Sequence, residues 1–168
     1  MIKVLFVCTG NICRSPTAAA IFKSMITREG LDREIIVDSA GTADYHVGEM
    51  ADKRTIYYGN KRGYNLSAHR ARQITMADFS LNDYILAMDW DNIRALKAVA
   101  PDDYRKKAQL LMRYSNKFDV AEVPDPYYGL AEGFLRVIDY CEDACSGFLQ
   151  HLRDSYGLRS KPYSQYRL

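Results

Sequence analysis

A cysteine, five intervening residues and an arginine, Cys8 to Arg14, stand in the stretch V-L-F-V-C-T-G-N-I-C-R-S-P-T at residues 4–17. The apolar run before Cys8 reads as a strand. Ser15 and Pro16 read as the start of a helix, Ser15 as its N-cap and Pro16 in its first turn. A helix N-terminus presents unpaired N–H groups and the positive end of its dipole, which favours an anion. Ahead of it, Thr9, Gly10, Asn11, Ile12, Cys13 and Arg14 supply a concave nest of backbone N–H groups. Gly10 and Asn11 are residue types that tolerate the left-handed backbone such a nest needs. Arg14 is then a planar clamp for two phosphate oxygens, which a lysine would not reproduce. The pattern predicts a phosphate cradle with a cysteine at its floor.

Helix N-termini and nearby cations favour the thiolate over the thiol, so the loop suits Cys8 as an in-line nucleophile for phosphoryl transfer. The Ser15 hydroxyl is placed to donate a hydrogen bond to its sulfur. Taken singly, Cys8 reads equally well as an inert cysteine at a buried strand end. The register of Gly10, Asn11, Arg14, Ser15 and Pro16 around it separates the two readings. Departure of the leaving oxygen needs a proton, and Asp125 in V-P-D-P-Y-Y-G is the best-placed acid. Pro124 and Pro126 stiffen its surroundings while Gly129 leaves the far side free to move. An aspartate between prolines is also an ordinary turn residue. Tyr127 and Tyr128, which follow it, are candidates for the walls of an aromatic pocket.

The elements that must hold these residues follow from periodicity. Residues 2–7 are almost continuously apolar, as a central strand buried on both faces should be. A helix then runs to Gly30, with Ile21, Phe22, Met25 and Ile26 on one side. Residues 34–39 and 83–88 read as strands, residues 109–112 as a short fourth one, and residues 40–48 as a loop. Residues 50–63 are moderately helical, and residues 65–78 alternate loop and short helix. Asp89 precedes a helix through Ile93 and Leu96 that Pro101 stops. Phe134, Ile138, Cys141, Cys145, Phe148 and Leu152 recur at steps of four, three, four, three and four, which predicts a long helix ended by Gly157. Strands alternating with helices imply an α/β fold: a parallel sheet covered on both faces, with its site beyond the carboxyl ends of the strands.

A chain of 168 residues fits one domain, read as residues 1–157 with a polar, basic tail at 158–168. The net charge of +2 is too small for a nucleic-acid surface. No run approaches the roughly 18 apolar residues of a membrane span, and the N-terminus reads as a strand, not a signal peptide. Four cysteines, Cys8, Cys13, Cys141 and Cys145, are too sparse for a disulfide scaffold and point to a reducing, cytoplasmic setting. Cys141 and Cys145 lie on the apolar stripe of the last helix and read as core. With three histidines and scattered cysteines, neither a metal site nor a cofactor is expected.

The segments V-C-T-G-N-I-C-R-S-P, D-S-A-G-T, H-R-A-R-Q-I-T, D-Y-I-L-A-M-D and D-P-Y-Y-G, in that order to about Tyr156, resemble the low-molecular-weight protein tyrosine phosphatases. The resemblance implies a flavodoxin-like, three-layer fold with a four-stranded parallel sheet of order 2-1-3-4. It implies metal-free hydrolysis of phosphotyrosine in two steps, with a phosphotyrosyl protein as substrate and inorganic phosphate as product. Cys8 would form a phosphocysteine, Arg14 would hold the transferring group, and Asp125 would serve first as acid and then as base. Asn11, Ser15, Ser39 and His69 would brace the loop. Singly, Ser39 is a loop hydroxyl and His69 a surface histidine, and Asp89 fits equally a site aspartate and the N-cap of its helix. Ile12, Tyr45, Tyr127 and Tyr128 would form the substrate pocket, and Tyr127 and Tyr128 are also implied as phosphorylation sites. Cys13 would guard Cys8 by forming a disulfide on oxidation, or is simply a small loop residue.

Two positions depart from the family pattern: many members carry leucine at Thr9 and some carry tryptophan at Tyr45. Both bear on substrate preference and leave the chemistry unchanged. A thiol-linked arsenate reductase shares the fold and a similar loop, but needs redox cysteines after the third strand, and residues 76–100 contain none. A noncatalytic phosphotyrosine-binding module would have no use for Cys8, Arg14 and Asp125 together. The large tyrosine phosphatases usually carry His before the cysteine and an earlier acid loop, whereas here Val7 precedes Cys8 and Asp125 comes later.

Overall fold

The first strand, β1 (Ile2–Cys8), alternates its side chains between two separate cores, as the period of two along a strand requires. Val4, Phe6 and Cys8 face one core and Leu5 and Val7 the other. A computed structural model of the chain describes residues 1–160. Most of the expected C-terminal tail therefore lies outside the described residues. Among these residues no helix is long and apolar enough to cross a membrane.

Helix α1 (Arg14–Arg28) packs Ala18, Ile21, Phe22 and Ile26 into the first core. There the Phe22 ring meets Phe6 at 5.7 Å and Phe148 at 5.3 Å, separations at which aromatic pairs are attractive. Strand β2 (Ile35–Gly41) follows, then α2 (Lys53–Lys61), whose N-cap Asp52 accepts from the Arg54 N–H at 2.8 Å. The short α3 (Met76–Leu81) starts at a Thr75–Asp78 capping box. Strand β3 (Tyr84–Ala87) leads into α4 (Trp90–Val99), and β4 (Ala108–Leu110) into the long α5 (Ala131–Tyr156).

Among the described residues the sheet is four-stranded, all parallel and ordered β2-β1-β3-β4. Helices α1 and α5 cover one face through Phe22, Cys141, Cys145 and Phe148. On the other face Phe79 of α3 and Ile93 and Leu96 of α4 complete the second core. Burial pushes the Cys141 thiol up to about 12 and raises that of Cys145 as well, as befits core cysteines.

Two strand ends differ by two residues from the sequence reading. Strand β2 continues through Ala40 and Gly41, expected as loop, because β1 offers a partner as far as Cys8, which pairs with Gly41. Strand β4 stops at Leu110 because its partner β3 ends at Ala87. Leu111 and Met112, expected in that strand, lie in a tight helical turn and are buried in the core under α5. Within residues 65–78, Gln73 forms a lone bridge to Gly41. Helix α1 and helix α5 end as expected, with Gly30 and Gly157 in left-handed backbone just past them.

Candidate active site

Cys8 is the last residue of β1 and Arg14 the first of α1, so the intervening loop crosses the carboxyl end of the sheet. The strand order reverses there, β1 lying between β2 and β3, and such switch points carry the ligand crevice in open α/β sheets. The loop turns at Asn11, whose φ of 56° is left-handed. Gly10 does not share that conformation, contrary to the sequence reading. A Cβ there would stand 2.9 Å from Cδ2 of His46, so that ring would have to move aside. Gly41 meets a similar limit from β2, where a Cβ would lie 2.5 Å from the Thr9 carbonyl oxygen.

Asn11 is fully buried and its conformation is held from four directions. Its Nδ2 donates to Ser15 Oγ at 2.8 Å and to Ser39 Oγ at 3.0 Å. Its Oδ1 accepts from the Arg72 N–H at 2.9 Å, and its carbonyl accepts from His69 Nε2 at 2.7 Å. Burial lowers the His69 pKa, which suits a neutral imidazole donating from Nε2. Arg72 is itself forked between Asp38 of β2 and Asp78 of α3. Ser39 and His69 are thus both hydrogen-bonded to Asn11 of the loop.

Ser15 is not the helix cap. Cys13 occupies that position with no capping side-chain bond, and the Ser15 hydroxyl lies 2.9 Å from Cys8 Sγ instead. Ser15 Oγ already accepts from Asn11, so its hydrogen is available to the sulfur, a hydroxyl having one to give. Ser15 Oγ also lies 3.4 Å from the Ala40 carbonyl, farther than from the sulfur. Cys13 makes no capping bond, Pro16 has no N–H and the Thr17 N–H donates to the Cys13 carbonyl, so the N–H groups of Arg14 and Ser15 are those at the helix start suited to an anion.

The Arg14 guanidinium is buried and reaches across the pocket. Its Nη1 donates to Asp89 Oδ2 at 2.5 Å and to the Val123 carbonyl at 3.0 Å. Its Nη2 lies 3.6 Å from Asp125 Oδ2 and 3.5 Å from Thr9 Oγ1. Burial disfavours its charge, but Cys8, Asp89 and Asp125 together outweigh that and raise its pKa. Asp89 thus meets Arg14 through Oδ2, while its Oδ1 caps α4 by accepting from the Asn92 N–H at 2.7 Å.

Asp125, 117 residues after Cys8 in the chain, lines the same pocket. Its side chain is 52% exposed, and its Oδ1 accepts from the Tyr127 N–H at 3.1 Å. The loop carrying it is tied to the sheet just upstream, where the Val123 N–H donates to the Met88 carbonyl at 2.8 Å. Ile12 and Tyr127 line the pocket. Tyr45 and Tyr128 also line it, 74% and 96% exposed, with the Tyr128 ring 4.9 Å from that of Tyr127. The Cys13 thiol also borders the pocket, and burial pushes it up to about 12.

Four contributors escaped the sequence reading: His46, which lines the pocket against Gly10; Asn92, whose Nδ2 donates to Thr9 Oγ1 at 3.1 Å; Arg72; and Arg54. Arg72 stands in the segment H-R-A-R-Q-I-T, though the resemblance assigns it no role, and the other three sit in no recognisable local pattern. For His46 the only signal was its position next to Tyr45.

A sequence profile of the family described as low molecular weight phosphotyrosine protein phosphatase matches residues 3–157. A low molecular weight protein-tyrosine-phosphatase of Streptomyces coelicolor is 41% identical over 155 residues, covering 90% of this chain and 94% of the relative. The low molecular weight phosphotyrosine protein phosphatase of Sus scrofa is 40% identical over 153 residues, covering 90% and 96%. The crystal structure of a protein tyrosine phosphatase from Entamoeba histolytica, with Hepes in its active site, superposes with a TM-score of 0.90 at 43% identity. It covers 92% of this chain and 99% of that one. The chain belongs to the low molecular weight phosphotyrosine protein phosphatase family.

Proposed function

We propose that the chain hydrolyses phosphotyrosine in proteins through a phosphocysteine intermediate, with residues 1–157 as the catalytic domain. One observation carries the reading: Cys8 and Asp125, from distant parts of the chain, line one pocket on either side of a buried Arg14. The Cys8 thiolate attacks phosphorus, forming an S–P bond as the P–O bond to the tyrosyl oxygen breaks. Asp125 gives its proton to that oxygen. Asp125 then takes a proton from water, which attacks the phosphocysteine, restoring the Cys8 thiolate and releasing inorganic phosphate. Arg14 and the N–H groups of residues 9–14 hold the phosphoryl oxygens throughout. The Ser15 hydroxyl stabilises the sulfur as a leaving group in the second step.

Cys8 at the floor and Tyr127 at the side favour a long aromatic phosphoester over phosphoserine, whose shorter side chain leaves phosphorus short of the sulfur. Cys13 acts as guard: peroxide converts Cys8 to the sulfenic acid, and the Cys13 thiol displaces water from it to give a disulfide. The four described cysteines, all free, fit a reducing cytoplasm.

Initial rates on phosphotyrosyl and phosphoseryl peptides, with Cys8→Ser in parallel, test the reading. Hydrolysis is expected on the first peptide only, falling about 10⁴–10⁶-fold in Cys8→Ser, as for removal of other enzymic nucleophiles. A Cys8→Ser variant that keeps its rate overturns the reading.

A further inference from the structure

Arg54 lies in the first turn of α2, outside the phosphate pocket, and no step above uses it. Its guanidinium is forked onto Asp52, Nε donating to Oδ1 at 3.0 Å and Nη2 to Oδ2 at 2.8 Å. Asp52 is in turn joined to the phosphate loop, because its N–H donates to the Ile12 carbonyl at 2.9 Å. One side of the fork is therefore fixed to the loop that carries the nucleophile.

The other side reaches the acid. Arg54 Nη2 also donates to the Tyr127 carbonyl at 3.0 Å, 73 residues away. The guanidinium lies over the rings of Tyr127 and Phe134, 5.6 Å and 4.6 Å from their centres, a geometry in which cation and ring attract. Tyr127 is the residue whose N–H holds Asp125 Oδ1. The residue that orients the acid is thus gripped at both ends, by the carboxylate at its N–H and by Arg54 at its carbonyl and ring.

We infer that Arg54 is a positioning residue for proton transfer: through Asp52 and Tyr127 it fixes Asp125 relative to the phosphate loop. Asp125 is half exposed, so this register does not come from packing around the carboxylate. A lysine keeps the charge but lacks the planar fork needed to bind Asp52 twice, reach Tyr127 and stack on two rings. The inference rests on the phosphatase reading and on Asp125 as its acid.

The test is kcat/KM for phenyl phosphate and p-nitrophenyl phosphate in the wild type, Arg54→Ala, Arg54→Lys and Asp125→Ala, with inhibition by inorganic phosphate and melting temperature alongside. The phenyl leaving group, like tyrosine with a pKa of about 10, needs the proton; the nitrophenyl group leaves with far less help. Both Arg54 variants are expected to lose about 10–100-fold on phenyl phosphate, as for a displaced catalytic group, and less than about threefold on p-nitrophenyl phosphate. Inhibition by phosphate should be unchanged. Arg54→Lys keeps the test sound if Arg54→Ala folds poorly. Equal losses on both substrates, weakened phosphate inhibition, or no loss overturns the inference while leaving the phosphatase reading intact. If Asp125→Ala itself fails to discriminate between the substrates, the acid assignment falls, and the inference with it.

Discussion

The phosphate loop and the acid loop face each other across one pocket and are built in opposite ways. Asn11, Arg14 and Ser15 are all but inaccessible, and their polar atoms are bonded to Ser39, His69, Arg72, Asp89 and Val123 from four separate segments. Asp125 and Tyr128 stand largely in solvent, and the acid's own loop contributes the Tyr127 N–H as its hydrogen-bond donor. A site that stabilises charge needs its dipoles fixed beforehand, since donors that must first turn lose much of their benefit. A proton donor must instead admit a protein-bound tyrosine and then water, and an open loop allows both. The two loops therefore predict different consequences of damage.

The largest contrast should come from the acid side. Asp125→Ala is expected to lower kcat/KM on phosphotyrosyl peptide about 10²–10⁴-fold while leaving the melting temperature within a degree or so, because an exposed side chain contributes little to folding. Stopped-flow rates and calorimetry on the same preparation decide it; a marked drop in melting temperature would erase the distinction. Asn11→Ala should do the reverse. It removes the residue suited to the left-handed turn and leaves buried partners on Ser15, Ser39 and Arg72 unsatisfied. A stability loss of about 2–4 kcal/mol is expected by urea unfolding, with activity down about 10–100-fold on every substrate regardless of leaving group.

The smallest effect sharpens the comparison through pH. Burial lowers the His69 pKa, so below about pH 6.5, the ordinary histidine value, the unfolded chain takes up a proton that the folded chain resists. The stability this group contributes is present above that pH and is lost as pH falls toward its lowered folded value. Melting temperature should therefore fall more between pH 7 and pH 5.5 in the wild type than in His69→Gln. Parallel curves would show that His69 does not titrate in support of the loop.

How much of this was legible in the sequence divides along the same line. The nucleophile loop could be read because strand, turn and helix signals adjoin one another, and each of Cys8, Asn11, Arg14 and Ser15 is a chemically committed residue type. Ser15 reads from the sequence both as a helix cap and as a donor to Cys8 Sγ; the fold keeps the second, at 2.9 Å, and puts Cys13 at the cap. The roles of Asn92, Arg72 and Arg54 were not legible. Each looks like an ordinary polar residue on a short helix or loop, and its meaning comes from an atom at least 61 residues away, on Thr9, Asn11 or Tyr127. The end of the short fourth strand was misplaced for a related reason. An apolar run such as Q-L-L-M does not say where its neighbour stops.

The tie between Val123 and Met88 has a geometric consequence. Met88 follows directly on β3, and β3 is the immediate neighbour of β1, whose last residue is Cys8. The acid loop thus leaves the sheet one strand over from the sulfur, a lateral step of about 4.8 Å set by the hydrogen-bonded spacing of strands. Segment 124–130 can then change in composition, or flex around a bulky substrate, without moving the point from which it springs. Its reach is variable, but its origin is set by the lattice of the sheet.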